Sequence, residues 1–446
     1  MRSGISGIAV RDSETFRRGR VLLKRHGPTA PIWRRRAAIL GGAVAIGLAA
    51  IGFAAVADRA GEAFDSAVGR TWWLPLLITP VGFVLIAWAT RRLAPAARGS
   101  GIPQIMAAKR DPQNATKALT SGRTAAVKFI LTAVALLCGA SVGREGPTVQ
   151  IGATVMAYAH RWLRVPVTAS VLVAGAAAGV AAAFNTPLAG VAFAIEELAA
   201  AYEQKMTLLV MTAVLIAGMT SLGLAGDYVY FGVVGQTLAL RQVLILAPLA
   251  GLFGGLAGGL FARLMLWTSR GGASRLSGGN PLVLAGACGL LVAAIGLATG
   301  LTWGTGYAPA RAMIEGSHAP LWFGPAKFFA SLATAAAGLP GGIFAPSLAT
   351  GAGVGNLLRW IMPDAPGGAV VLLGMVAYFT GVVRAPLTSV IIISETTASR
   401  GLMLPLLATA LIADGAAQLI CRERLYHGLS LAFLPPPKTA PTPPAS

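Results

Sequence analysis

The chain has 446 residues, of which 55% are apolar and only 12% are charged, and its 36 Lys and Arg against 16 Asp and Glu leave a net charge of +20. Soluble domains carry about 25% charged residues, so this composition excludes an ordinary soluble enzyme, and the apolar content excludes disorder. The long apolar runs indicate a protein that crosses a membrane several times.

The N-terminal segment, residues 1–36, is strongly basic: it holds ten Lys and Arg, three of them at 34–36. An apolar run, Ala37–Ala57, follows at once and is long enough to span a bilayer as a helix. The positive-inside rule therefore predicts a cytoplasmic N-terminus in a multi-pass inner-membrane protein. The basic residues cluster beside apolar segments and lack interleaved aromatic residues, so we expect no nucleic-acid partner.

The next elements follow the same alternation of apolar and polar segments. Asp58–Arg70 is mixed in charge and predicted to be external, Trp72–Thr90 is a second span, and the basic segment Arg91–Arg123 is predicted to be largely cytoplasmic. Further apolar segments cover 124–138, 147–159, 166–183, 187–200, 206–225, 240–268, 281–303, 321–338, 346–361, 367–382, 386–398 and 401–421. Many are shorter than the roughly 20 residues of a straight span, and Gly and Pro interrupt them, a pattern typical of transporters.

An internal repeat appears when the chain is shifted by 199 residues. Lys128-Phe129 then falls on Lys327-Phe328, Pro147 on Pro346, and Glu196 on Glu395. We therefore predict two related membrane halves, 37–225 and 240–432, joined by a linker at 226–239, with a disordered Pro-rich tail at 433–446. Such halves commonly hold a substrate site at their interface, but the repeat leaves open whether they are parallel or inverted.

Three loops rich in Gly and Pro precede helical segments and predict an anion site. Glycine lets the backbone turn sharply, and proline suits the first turn of the helix that follows. Free N–H groups and a partial positive charge at each helix start would attract an anion if the ends converge. The residues concerned are Gly99, Ser100, Gly101 and Pro103 in the first loop, Gly143, Arg144, Gly146 and Pro147 in the second, and Gly342–Pro346 in the third.

A few carboxylates lie in strongly apolar surroundings, where ionisable residues indicate function. Glu145 stands in an anion-attracting loop, so its carboxylate could occupy the anion position and leave when protonated. Glu197 aligns with Thr396 and breaks the repeat, which favours a proton-relay role. Glu196 and its repeat partner Glu395 are expected to make structural hydrogen bonds. Asp414 is also interpreted as structural, and Lys128 as support for the local positive potential.

The histidines and cysteines predict no chemistry of their own. Four His lack ligand spacing, and three scattered Cys form no disulfide framework or metal motif. We expect no metal and no cofactor. Ser100 has no histidine partner on an apolar segment, so we also expect no hydrolytic enzyme.

Five ordered motifs make the chain resemble the CLC family of chloride channels and chloride/proton antiporters. They are GSGIP at 99–103, GREGP at 143–147, AAAFNTPLAG at 181–190 with IEE at 195–197, GGIFAP at 341–346, and RLYHG at 424–428. The resemblance implies an all-α membrane protein with two inverted repeats of tilted and broken helices, about 18 in all. It also implies a homodimer with a separate pore in each subunit.

The resemblance assigns roles to particular residues. Ser100 and Tyr426 would coordinate the central chloride through their hydroxyls, and Ile343 and Phe344 through backbone N–H groups. Glu145 would be the gate and the external proton carrier, and Glu197 the internal one. Arg144 matches a basic residue next to the gate.

The function that follows is voltage-independent or weakly gated chloride transport, by exchange for protons because Glu197 is kept. A passive chloride channel is the alternative, and fluoride or nitrate transport within the same family is weaker, since Ser100 fits chloride preference. Two departures concern proton access: Gln104 stands where many relatives carry Glu, and Met106 where an acid is frequent.

Overall fold

The computed structural model describes residues 30–198, 204–226, 231–276 and 278–434. These residues form α-helices joined by short loops, and they contain only two isolated β-bridges, both between Gly-rich loops. The all-α expectation is therefore confirmed. The helices up to residue 225 are α1 Ala30–Arg70, α2 Pro75–Leu93, α3 Ile102–Ala108, α4 Pro112–Ala118, α5 Gly122–Leu137, α6 Glu145–Trp162, α7 Ala169–Phe184, α8 Pro187–Phe193 and α9 Gln204–Ala225.

The helices after residue 239 complete the fold. They are α10 Leu240–Ser269, α11 Gly272–Leu276, α12 Pro281–Thr299, α13 Tyr307–Ile314, α14 Phe323–Ala336, α15 Phe344–Leu358, α16 Gly367–Val383, α17 Pro386–Thr396, α18 Met403–Ile420 and α19 Leu425–Ser430. Short 3₁₀ turns lie at Pro95–Ala97, Arg400–Leu402 and Leu431–Phe433, and a π-helical turn at Ala194–Leu198 follows α8.

Five of the described helices are long and apolar enough to cross a membrane: α1, α2, α10, α12 and α18. Several other apolar helices have fewer than 18 residues, among them α7, α16 and α17, as the interrupted hydrophobic pattern predicts. Short helices at membrane depth need protein around their ends, because lipid cannot satisfy free backbone groups. The most deeply buried helices, α7 and α16, accordingly have almost no exposed residues.

The segment Asp58–Arg70, predicted to be external, is helical: it continues α1 without a break, giving a helix of 41 residues. At 1.5 Å per residue this helix is about 60 Å long, twice the hydrocarbon thickness of a bilayer. No proline interrupts it, and Asp58 pairs with Arg144 at 2.7 Å, which holds this part of the helix against the protein.

Repeat-related glycines let neighbouring helices touch in both halves. In the first half α6 packs on α7 through Gly152 and Gly175, where a Cβ on Gly152 would lie 2.5 Å from the Gly175 carbonyl oxygen. In the second half α15 packs on α16 through Gly351 and Gly374, which occupy the same positions 199 residues later. Close contact between small residues is a main source of helix association in membranes.

We expect Gly374→Ala to destabilise the protein by about 1–3 kcal/mol, the usual range for overpacking a core. The new Cβ would lie 2.2 Å from the backbone nitrogen of Gly355, so relief requires the two helices to separate. The measurement is the thermal unfolding midpoint of the detergent-solubilised protein. Gly41→Ala is the matched control, because Gly41 is helical with open space around it. Equal midpoints for the two variants would contradict the packing argument.

Candidate functional site

Three Gly-rich loops meet at the centre of the protein through backbone hydrogen bonds. Gly143 and Gly342 exchange N–H to carbonyl bonds of 2.7 Å in both directions. Gly99 donates to the Leu339 carbonyl and accepts from the Gly341 N–H, both at 3.1 Å. The loops that precede α3, α6 and α15 therefore lie side by side, and the predicted convergence of three helix starts is present.

Glycine is required at this junction because the backbones approach too closely for a side chain. A Cβ on Gly146 would lie 2.4 Å from the Ser100 hydroxyl oxygen, and one on Gly342 would lie 2.8 Å from the Gly146 nitrogen. Gly101 has a φ of +107° and no room for a Cβ beside the Gly146 carbonyl. The first turns of α3, α6 and α15 therefore begin next to one another, with their positive dipole ends together.

Proline supports each of these helix starts. Pro103 is the second residue of α3, and Pro147 and Pro346 are the third residues of α6 and α15. The first N–H groups of a helix have no acceptor within the helix, so proline loses nothing there.

Glu145 is the first residue of α6, and its side chain is fully buried at this junction. Its Oε1 accepts a hydrogen bond from the Tyr307 phenol at 2.5 Å. Its Oε2 is directed toward the backbone N–H of Ala345 at the start of α15 without a hydrogen bond of ordinary geometry. The neighbouring Arg144 is near enough to interact with the charge of Glu145, and its guanidinium also pairs with Asp58 at 2.7 Å and donates to the Ala54 carbonyl at 2.9 Å.

A cavity of about 780 Å³ lies next to the junction, and Ser100, Ile343 and Tyr426 line it. The Ser100 and Tyr426 hydroxyls lie close together, are buried, and lack a hydrogen-bond partner of good geometry in the described part of the chain. Buried hydroxyls are usually satisfied, so this pair is available to a ligand. Phe344 packs behind them, with its ring 6.1 Å from that of Tyr426 and 5.0 Å from that of Phe379.

Glu197 lies on the π-helical turn after α8, and only 5% of its side chain is exposed. Single π turns inside helices occur frequently at functional sites. Neither of its carboxylate oxygens has a hydrogen-bond partner among the residues described. Lys109, Arg424 and Tyr426 lie near enough to interact with its charge. The Lys109 ammonium donates to the Leu198 carbonyl at 2.5 Å, beside Glu197 rather than on it.

Glu196 makes a different set of contacts from its neighbour. Its carboxylate accepts from the backbone N–H groups of Leu387 and Thr388 at the start of α17, at 3.1 and 2.7 Å. Glu395, at the end of α17, accepts in the same way from Leu188 and Ala189 at the start of α8. The predicted structural role of both glutamates is confirmed.

These reciprocal contacts also define how the two halves are related. Glu196 contacts the start of α17, and its repeat partner Glu395 contacts the start of α8, the repeat equivalent of α17. Reciprocal contacts of this kind are those made across a two-fold axis, here one that relates the two halves. Because the end of each helix meets the start of the other, α8 and α17 run antiparallel. The halves are therefore inverted with respect to each other, which resolves the alternative that the repeat left open.

The two buried lysines that the repeat aligns hold equivalent loops. Lys128 donates to the Gly99 carbonyl at 2.8 Å, and Lys327 donates to the Thr302 and Gly304 carbonyls at 2.9 and 2.8 Å. Lys128 thus supports the loop that carries Ser100. Gln104 supports the same loop, donating to the Arg98 carbonyl at 2.6 Å, and Met106 packs in the core.

Sequence reasoning missed Tyr307, although a signal was present. Gly304-Thr305-Gly306 precedes it, as Gly99-Ser100-Gly101 precedes Ile102, but at an offset of 205 residues instead of 199. A comparison at one fixed offset passes over it.

A sequence profile described as "Voltage gated chloride channel" matches residues 82–418. Two similar relatives are named "H(+)/Cl(-) exchange transporter ClcA". The one from Citrobacter koseri is 31% identical over 79% of this chain and 78% of its own length, and the one from Cronobacter sakazakii is 34% identical over 78% and 77%.

Similar solved structures establish the fold. One is a slow cyanobacterial Cl⁻/H⁺ antiporter, with a TM-score of 0.78 and 23% identity over 90% of this chain and 98% of that one. Another is a CLC-type fluoride/proton antiporter, with a TM-score of 0.74 and 22% identity over 88% and 96%.

Proposed function

The chain belongs to the CLC family of voltage-gated chloride channels, and we propose that it exchanges chloride for protons with Glu145 as its gate. The observation that carries the proposal is the position of this carboxylate, fully buried where the starts of α6 and α15 meet. Converging helix starts attract an anion, and the side chain there is itself an anion that a proton can neutralise.

The proposed chloride site lies on the cavity side of this junction. Ser100 and Tyr426 would donate their hydroxyls, which have no partner of good geometry among the described residues, and Ile343 and Phe344 would donate backbone N–H groups from the start of α15. Dipolar donors without a full positive charge suit transport, because the ion must bind and also leave. Gly99, Gly101, Pro103, Gly143, Gly146 and Pro147 would shape the loops, while Lys128 would support the first of them and Arg144 the second.

Glu145 would compete with chloride for the outer end of this path. As a carboxylate it occupies the helix starts, and as a neutral acid it no longer gains from their positive potential and can move away. Each cycle would then carry a proton inward with the side chain and an anion outward, or the reverse. This competition couples the two ions without any covalent chemistry, so we assign the protein no enzymatic activity and no cofactor.

Glu197 is proposed as the proton acceptor on the opposite side of the chloride site. The support for this role is that neither carboxylate oxygen has a hydrogen-bond partner in the described part of the chain, so no donor there holds the carboxylate in its ionised form. Tyr426 lies within electrostatic range of both Glu197 and Glu145.

We also propose an arrangement in the inner membrane. The basic residues Arg34–Arg36 at the start of α1 support a cytoplasmic N-terminus, with a cytoplasmic C-terminus as well. Two membrane halves, 37–225 and 240–432, would be joined at 226–239. Exposed leucines at the starts of α8 and α17, 63% for Leu188 and 46% for Leu387, support an apolar face for a homodimer. Most of the predicted tail 433–446 and most of segment 1–36 lie outside the described residues, and Phe433, the first residue of that tail, belongs to the 3₁₀ turn Leu431–Phe433.

The experiment is a flux measurement in proteoliposomes loaded with chloride and diluted into low chloride. We expect chloride efflux to drive protons inward against their own gradient, with both fluxes recorded simultaneously. Liposomes without protein are the control. Chloride efflux with no coupled proton movement would identify a passive channel and refute the exchange mechanism.

A further inference from the structure

The second half contains a loop built like the one that carries Ser100. Gly304 and Gly306 have φ angles of +63° and +83°, and Gly99 and Gly101 have +65° and +107°. Each loop is held by the buried lysine of its own half, through the carbonyl of the first glycine. Two buried lysines therefore hold equivalent loops, although of these two loops only the first lines the cavity.

The second loop determines where α13 begins, and the first residue of that helix is Tyr307. Its ring packs edge-on against Phe231 with the centroids 5.2 Å apart. Its hydroxyl donates to Glu145 Oε1 at 2.5 Å. The direction of the Tyr307 phenol toward the Glu145 carboxylate is thus fixed by the loop, by Lys327, which holds the loop, and by the ring contact with Phe231.

We propose that Tyr307 is a positioning residue that holds the ionised carboxylate of Glu145 across the anion path. The inference rests on the proposed function, because it concerns the same gate. A phenol O–H donates more strongly to a charged carboxylate than to a neutral acid. The contact therefore stabilises the closed gate against both its competitors, the entering chloride and the entering proton.

The other groups around Glu145 make different contacts. Arg144 and the backbone N–H of Ala345 also interact with its carboxylate, and the Arg144 guanidinium pairs with Asp58 as well. Lys327 donates to loop carbonyls, and the Tyr426 hydroxyl lies on the cavity side among the proposed chloride ligands. Tyr307 makes the hydrogen bond to Oε1, so removing its hydroxyl should act on the gate directly.

We expect Tyr307→Phe to open the gate more easily while leaving the ring in place. Loss of the phenol should tighten chloride binding to the detergent-solubilised protein about tenfold, measured by titration calorimetry with chloride. In proteoliposomes the pH at which chloride flux is half-maximal should rise by about one unit, since a less stabilised carboxylate is displaced by a lower proton concentration. A tenfold change corresponds to about 1.4 kcal/mol, within the range for a hydrogen bond to a charged group.

Two controls separate this role from a structural one. Tyr158→Phe also removes a phenol with one backbone partner, the Gly122 N–H at 3.0 Å, but lies away from the gate and should change neither readout. In a Glu145→Gln background, Tyr307→Phe should have no effect on the pH profile, because the charge it holds is gone. Thermal unfolding of each variant verifies that it is folded.

The outcomes distinguish this inference from the proposed function. If Glu145→Ala removes the pH dependence while Tyr307→Phe matches the wild type in both affinity and pH profile, the positioning role is refuted and the gate remains. If Glu145→Ala leaves the pH dependence unchanged, the gate itself is refuted. A Tyr307→Phe effect that persists in the Glu145→Gln background would also overturn the proposal, since it would then act elsewhere.

Discussion

Glu145→Ala is expected to abolish coupled proton movement while chloride flux continues. The carboxylate is the only acid of the described chain at the junction of the three loops, and its Oε2 is directed toward the start of α15, where an anion would gain most. Alanine leaves that position open to chloride and carries no proton. The ratio of proton to chloride flux should fall at least tenfold, to the level of protein-free liposomes, and the chloride flux should lose its dependence on pH.

The matched control is Glu62→Ala, which removes an exposed carboxylate from α1. It should retain both the coupling ratio and the pH profile. A correctly folded Glu145→Ala protein that moves neither ion would contradict the gate role, since a path without its gate should still conduct chloride. A variant that still pumps protons would remove Glu145 from the proton route.

Glu197→Gln is expected to have an equally large effect on protons and a small one on chloride. Glutamine has nearly the same shape and cannot carry a proton, so the π-helical turn and the chloride ligands should be preserved. We expect proton flux to fall to background in the simultaneous flux assay, with chloride flux within about threefold of the wild type. Persistent proton pumping by this variant would leave Glu197 as a buried acid without a transport role.

The adjacent Glu196 provides the contrasting variant. Its carboxylate accepts three hydrogen bonds, from the Leu387 N–H and from the N–H and hydroxyl of Thr388. Glu196→Gln should therefore lower the thermal unfolding midpoint while the coupling ratio of the folded protein stays unchanged. Loss of proton flux in Glu197→Gln and loss of thermal stability in Glu196→Gln would assign a transport role to one glutamate and a structural role to its neighbour.

The sequence alone determined the fold class, the broken helices and the presence of two related halves, while the inversion of those halves came from the reciprocal contacts of Glu196 and Glu395. Apolar runs interrupted by Gly and Pro predict helices that start at Pro187 and Pro386, and both do so. These are local signals, because proline restricts its own backbone and that of the residue before it wherever it occurs. Local composition marks a change of character at Asp58–Arg70, but it does not show that α1 continues through this segment or that Asp58 pairs with Arg144 across the fold.

The candidate site was also predicted from the sequence only in part. Motifs predicted the loops and singled out Glu145 and Glu197, because buried acids in an apolar sequence are costly and therefore conspicuous. Only the tertiary structure showed that Gly143 and Gly342 are joined, that Glu196 and Glu395 cap each other's partner helices, and that a phenol holds Glu145. Tyr307 lies 162 positions after Glu145. The start of a helix is determined by neighbouring residues such as Gly and Pro, so the sequence predicts it. Which helix starts meet depends on how the glycine-lined surfaces of distant helices pack, and that packing is determined by the whole chain.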